Sequence, residues 1–183
     1  MTFVENARFA ETNSLFSLWM ARELLTAGFI VMNCDVLLHP QLLADLLTAR
    51  YEDALLVDFG SDGTPYGDEE MKVRVRRGRI VEMSKTMDPA DADGENLGVA
   101  RFGAAGAAAL IGELDRIVAA GDVMAWVPQA FTALAARRPL HAIGTRGLPW
   151  LEIDFPEDYR RALDQVLPQI ERDLQSPRIA RSA

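Results

Sequence analysis

Two short stretches of this chain carry carboxylates where an α/β protein places its chemistry. FIVMNCDVLLHP, residues 29–40, is an apolar run that turns polar at Asn33 and reaches Asp35 before Pro40. WLEIDFPEDY, residues 150–159, repeats the layout: a strand pattern, Asp154, then Pro156. Aspartate is seldom buried without a partner. In open α/β sheets, ligands bind beyond the C-terminal ends of the strands. If the two strands are neighbours, Asp35 and Asp154 converge. Two ionised carboxylates about 4 Å apart repel by roughly 4 kcal/mol at an effective dielectric near 20. Such a pair shares a proton or holds a cation, and Mg²⁺ bound by one or two carboxylates plus substrate phosphates is the common solution. The competing reading is structural, because Asp at a strand-to-helix junction is often only an N-cap.

The elements that would position them follow from periodicity. Ser14 opens a helical pattern, SLFSLWMARELLTAG, that Gly28 closes. Phe29 to Asn33 and Ala54 to Phe59 read as short buried strands. Pro40 suits the first position of a helix over QLLADLLTAR. GSDGTPYGDEE, residues 60–70, reads as loop. MKVRVRRGRIVEMSK, residues 71–85, alternates as a hairpin turning at Arg77-Gly78. Beyond a polar loop lie a strand over Leu97 to Phe102 and helices over Gly106 to Ala120 and Val127 to Arg137. Strands over Leu140 to Gly144 and Trp150 to Ile153 and a helix over Pro156 to Leu174 complete the pattern. Alternating strands and helices predict one α/β domain over residues 1–175. It is a Rossmann-like mixed, mostly parallel sheet flanked by helices, followed by a loose tail over 176–183.

Composition narrows the function classes. The 183 residues are 49% apolar and 25% charged, as in an ordinary globular domain, and the net charge is -8. An acidic surface repels phosphate backbones, so nucleic acid is excluded as a partner. The apolar runs fall short of the about 20 residues that span a bilayer, which argues against a membrane partner. A single cysteine, Cys34, forms no internal disulfide and fits a reducing cytoplasm. His39 and His141 lack ligand-spaced partners, and without a Cys/His cluster zinc is not expected. His39 is expected to help start a helix. Arg76, Arg77 and Arg79 crowd the hairpin turn and read as a solvated tip, with an anion contact as the alternative.

In order along the chain, TNSLFSLWMARE, VMNCDVLLHP, DEEMKV, RIVEMSK, GENLGVARF and WLEIDFPEDY resemble the motifs of the nucleotidyltransferase superfamily. The look is closest to the cytidylyltransferase branch acting on phosphocholine, inositol phosphate or phosphonates. The resemblance spans about residues 8 to 165. It implies transfer of a nucleotidyl group, cytidylyl by this branch, from a nucleoside triphosphate to a phosphorylated small molecule, with Mg²⁺ and release of pyrophosphate. By the same resemblance Asp35 and Asp154 are the metal ligands. Thr12 and Asn13 begin the helix near the nucleotide base. Lys85 faces a substrate phosphate. Glu70 and Lys72 form an acidic-lysine pair at the acceptor side, and Glu95 and Gly98 line the acceptor pocket.

The chain departs from that pattern in three places. The glycine-rich triphosphate loop and its following lysine have no counterpart, so an N-terminally incomplete fold is expected. A sheet edge left open by that absence would suit a partner or a homo-oligomer. Cys34 stands before Asp35 where the family has Gly. Phe155 stands where it has a capping Thr, which leaves a cap of the last helix by Asp154 as the alternative to its metal role. Two other readings stay open: a sugar-1-phosphate nucleotidyltransferase using UTP, GTP or dTTP, and a catalytically inactive regulatory or assembly subunit.

Overall fold

The computed structural model describes residues 1–60, 66, 67 and 69–175. The tail expected over 176–183 and most of the loop centred on residues 61–65 lie outside them.

Eight strands form two sheets. They are β1 Phe29–Met32, β2 Val36–Leu38, β3 Ala54–Asp58, β4 Lys72–Arg76, β5 Arg79–Ser84, β6 Gly94–Phe102, β7 His141–Gly144 and β8 Trp150–Glu152. The six-stranded sheet runs β1-β6-β3-β7-β5-β4, with β4 also reaching the start of β6. Strands β2 and β8 form a separate two-stranded ribbon. The helices are α1 Ser14–Met20, α2 Pro40–Thr48, α3 Ala104–Ala119, α4 Val127–Ala135, α5 Pro156–Arg161 and α6 Leu167–Gln175. A π-helical turn, Ala162–Val166, joins the last two.

The mixed α/β sheet with flanking helices is as expected, but the sheet is not mostly parallel. Among the described strands only β3 and β7 pair in parallel, and the other pairings are antiparallel. The reason lies in β6. This nine-residue strand runs between β1 and β3 and opposes both. Alternation of strands with helices fixes the element types, but pairing direction depends on which strands meet, and periodicity does not encode that.

Three apolar clusters hold the layers. On one face Leu55, Val57, Ala100 and Phe102 pack with Leu110 and Leu114 of α3 and Phe131 and Leu134 of α4. On the other, Leu42 and Leu46 of α2 cover Leu56, Leu97 and Val99. Both α2 leucines are fully buried, stabilising by about 1.5–3 kcal/mol each. The third cluster, Leu151 with Ala162, Val166 and Ile170, clamps the ribbon to the last helices. The helix starts follow local chemistry. Asn13 Oδ1 accepts the Ser14 N–H at 2.7 Å. His39 Nδ1 accepts the Gln41 N–H at 3.0 Å, as its place before Pro40 implied.

Strand β6 is bent at Gly98. Between its pairings Leu55↔Ala100 and Val57↔Asn96, β6 spends more residues than β3. Gly98 sits inside this bulge at φ 73°, a left-handed conformation that glycine adopts without a Cβ penalty.

Candidate metal and phosphate site

The ribbon is the device that brings the carboxylates together. Asp35 does not end a long strand; it lies in the turn between β1 and β2. Strand β2 then pairs with β8, setting Val36 opposite Glu152. The Ile153 N–H donates to the Asp35 carbonyl at 2.9 Å, closing the pair at its end. As a result Asp35, Glu152 and Asp154 each present an oxygen within 4.8 Å of the others. Asp154 is exposed, whereas Asp35 and Glu152 are half-buried.

Asp154 does not cap the last helix, the alternative that Phe155 left open. Asp158 does so instead. Its Oδ2 accepts the Phe155 N–H at 3.0 Å and the Asp154 N–H at 3.3 Å. The Asp154 carboxylate is thereby spared for the cluster.

The electrostatics of the cluster suit a retained proton or a cation. Burial, then the charges of Asp154 and Asp35, push the Glu152 carboxyl above its ordinary value, while an Asn33 hydrogen bond and the Lys85 charge pull it back. Asp35 Oδ1 is buried with no hydrogen-bond partner among the described residues. An orphaned buried acceptor calls for an explanation, and an ion is one of the standard ones. Three carboxylates form a hard oxygen donor set of the kind Mg²⁺ takes. The residues present therefore fit such an ion.

A second acidic group adjoins the first. Glu95 of β6 lies opposite Asp58 of β3 on one side and Lys72 of β4 on the other. Burial raises its carboxyl from 4.5 to about 7, helped by Glu70, Glu152 and Asp58 and opposed by Lys72. Because the folded-state value exceeds the unfolded one, the folded chain keeps a proton that the unfolded chain releases. This group therefore makes stability fall as pH rises from about 4.5 to 7, and adds no slope above that. Glu95→Gln should flatten that part of the profile. At pH 8 it should gain on the order of 1 kcal/mol over wild type, about 2–4 °C at this chain length. Thermal unfolding of both proteins from pH 5 to 8 measures the difference, and identical slopes would contradict it.

Lys72 does not face solvent. It is 1% exposed. Its Nζ donates to the Gly67 carbonyl at 2.6 Å and the Glu70 carbonyl at 3.4 Å. The Glu70 carboxylate approaches Gly67, where an added Cβ would stand 2.7 Å from Oε2. Lys72 thus ties this loop to the start of β4 and tempers Glu95. Lys85 follows β5. Its Nζ lies 3.2 Å from the Glu69 carboxylate and 4.9 Å from the centre of the Trp126 ring.

Gly98 acts through a neighbour. A Cβ built there would meet Asn33 Nδ2 at 2.5 Å. The Asn33 N–H donates to the Gly98 carbonyl at 2.9 Å, and its side chain bonds Glu152. The missing side chain at residue 98 is what lets Asn33 sit beside the carboxylates.

Thr12 and Asn13 are held by contacts outside this cluster. Thr12 Oγ1 donates to the Arg8 carbonyl at 2.9 Å, and the Asn13 N–H donates to the Val123 carbonyl at 2.9 Å. Next to them, Ser14 Oγ accepts the Val127 N–H at 3.2 Å. That contact places the start of α1 against the segment carrying Trp126, on which Lys85 rests.

Sequence reasoning missed four contributors: Glu152, Asn33, Asp58 and Asp158. Asp58 accepts from Thr145 Oγ1 at 2.8 Å and from Trp150 Nε1 at 3.0 Å, pinning the end of β3 to the first residue of β8. A signal existed for Glu152, since it stands two residues before Asp154, the spacing that returns a side chain to one face of an extended chain.

No protein-family model matches the chain, and no curated protein matches it in sequence. Solved structures do. The CTP:phosphocholine cytidylyltransferase from Streptococcus pneumoniae is similar at 19% identity and a TM-score of 0.66, over 88% of this chain and 67% of that one. The inositol-1-phosphate CTP transferase from T. maritima is similar at 19% identity and a TM-score of 0.70, over 92% of this chain and 66% of that one. A UDP-glucose pyrophosphorylase complexed with UDP-glucose follows at 14% identity and a TM-score of 0.62. The fold is therefore that of the nucleotidyltransferases. The chain spans about two thirds of the length of the first two structures.

Proposed function

We propose that this chain carries the metal and acceptor half of a nucleotidyltransferase site. The reaction joins a nucleoside triphosphate, read as CTP, to a phosphorylated small molecule. The observation that carries this reading is the convergence of Asp35, Glu152 and Asp154 around a buried, unpartnered Asp35 oxygen.

In the reaction a phosphate oxygen of the acceptor attacks the α-phosphorus. One P–O bond forms there, the bond to the β-phosphate oxygen breaks, and pyrophosphate departs with the electron pair. Both reactants are polyanions, so the protein's task is positioning and charge neutralisation. Mg²⁺ on Asp35, Glu152 and Asp154 would supply the positive charge at the phosphate oxygens. Lys85 adds a compact charge beside the same cluster, held in place by Glu69 and the Trp126 ring. Asn33 orients Glu152. Lys72 contacts main chain and holds the Glu70 loop, so its role is positioning.

The surroundings favour an acceptor with a cationic or polyhydroxylated body. Glu70, Asp58 and the cluster's Glu152 all lie within electrostatic reach of Glu95, and Lys72 tempers it. That setting supports the phosphocholine-like branch and also accommodates a sugar phosphate. The assay is pyrophosphate release with CTP, UTP, GTP and dTTP, each against phosphocholine, inositol phosphate and sugar 1-phosphates, with and without Mg²⁺. Release confined to CTP with one acceptor supports the proposal. Release with UTP, GTP or dTTP and a sugar phosphate selects the sugar branch. Metal-dependent nucleotide binding without release selects the inactive subunit.

A further inference from the structure

The hairpin of β4 and β5 has two ends with opposite chemistry. Its open end carries Lys72 and, just beyond β5, Lys85, both beside the carboxylates described above. Its closed end carries Arg76, Arg77 and Arg79. Four residue-to-residue steps of strand separate Lys72 from Arg76, roughly 13 Å at about 3.3 Å per step.

At the closed end the chain forms an open depression of about 670 Å³. Arg76, Arg77 and Arg79 line one wall; Arg137 and Arg138, just after α4, line the other. Five of the chain's 19 basic residues meet here, and among the described residues none of its 27 acidic ones lines the space. On a chain of net charge -8 this is a local reversal of sign.

The charges are only partly answered. Arg76 bonds Asp93 at 3.1 Å, and Arg138 bonds the buried Asp53. Arg137 reaches Glu113 at 3.0 Å, but Arg116 already holds that carboxylate at 2.8 Å. Arg77 and Arg79 have no ion-pair or hydrogen-bond partner for their guanidinium groups among the described residues. Arg77 also stands at φ 53°, a conformation few non-glycine residues adopt. Three carboxylates outside the depression thus answer the five guanidinium groups that line it. A solvated tip needs no such wall. The guanidinium fork matches phosphate and carboxylate oxygens in bidentate fashion, and the volume falls within the range of small-molecule pockets, about 300–1,000 Å³.

We propose that this depression is a second anion site, separate from the carboxylate cluster, for a soluble small molecule bearing two or more phosphate groups. The probe is inorganic pyrophosphate, titrated calorimetrically into the full chain in EDTA, which keeps divalent ions off Asp35, Glu152 and Asp154. The expected result is one equivalent bound, weakened by added salt. The double variant Arg77→Gln/Arg79→Gln should weaken binding at least 10-fold with an unchanged melting temperature, because neither side chain is paired. Lys85→Gln should leave it unchanged. Absence of binding would overturn the proposal. So would binding that survives the double variant but is lost with Lys85→Gln, which would place pyrophosphate at the other end of the hairpin. Binding confined to vesicles of phosphorylated inositol lipid, with none to free pyrophosphate, would overturn the soluble ligand.

Discussion

Asp35→Asn should raise the melting temperature of the metal-free protein and remove the stabilisation that Mg²⁺ gives the wild type. In the wild type three carboxylates lie within 4.8 Å of one another. Replacing one by a neutral amide removes repulsion and gives Glu152 a potential donor. With Mg²⁺ at ten times its dissociation constant, wild type should gain about 1.4 kcal/mol, because ligand binding to the native state stabilises it by mass action. At this chain length that is about 3–6 °C. The variant loses a carboxylate one of whose oxygens is buried with no hydrogen-bond partner among the described residues. Its metal affinity should fall by more than the about 10–100-fold that loss of a supporting partner brings. Differential scanning calorimetry over a Mg²⁺ series reads both effects. Equal metal responses in the two proteins would remove Asp35 from the site, and any turnover detected with the wild type should vanish in the variant.

Gly98→Ala should be strongly destabilising. The backbone there is held at φ 73°, which alone disfavours alanine by about 1 kcal/mol or more. The new methyl would also meet Asn33 Nδ2 at 2.5 Å and Cγ at 2.6 Å, so Asn33 must leave. Gly121→Ala separates the two effects. Gly121 sits at φ 86° with nothing within 4 Å of an added Cβ, so it reports backbone strain without a clash. Urea unfolding should show a loss of about 1 kcal/mol at residue 121 and on the order of 3 kcal/mol at residue 98. Only the second should also weaken Mg²⁺ binding, because displacing Asn33 frees Glu152 of the bond that lowers its proton affinity. Equal losses at the two glycines would contradict this account of Gly98.

What the sequence revealed and concealed divides by range. Local signals were legible: Pro40 and Pro156 at helix starts, His39 before the first of them, and the hairpin turn at Arg77-Gly78. Asp35 and Asp154 could be paired because each follows a strand pattern and precedes a proline. How they meet could not be read. The ribbon rests on β2, three residues long, which periodicity does not register, and on its pairing with a strand more than 100 residues away. The burial of Lys72 was not legible either. Its alternation with apolar neighbours is real, yet both sides of β4 are engaged at that end, by β5 and by β6. Glu152 was hidden inside the short strand read over Trp150 to Ile153. Phe155 made Asp154 look like the cap because Asp158, three residues into the next helix, reaches back to do that work. The direction of the sheet was misjudged because it is set by β6, whose long antiparallel course leaves no local mark.

The most direct test is to count divalent ions. Mn²⁺, a spectroscopic stand-in for Mg²⁺, is titrated into the wild type and into Asp35→Asn, and the free ion is followed by electron paramagnetic resonance. The account predicts one Mn²⁺ per wild-type chain, competed by Mg²⁺ and bound more tightly with CTP present, and no such site in the variant. Wild type and variant that bind Mn²⁺ alike, or a wild type that binds none with or without CTP, would contradict it.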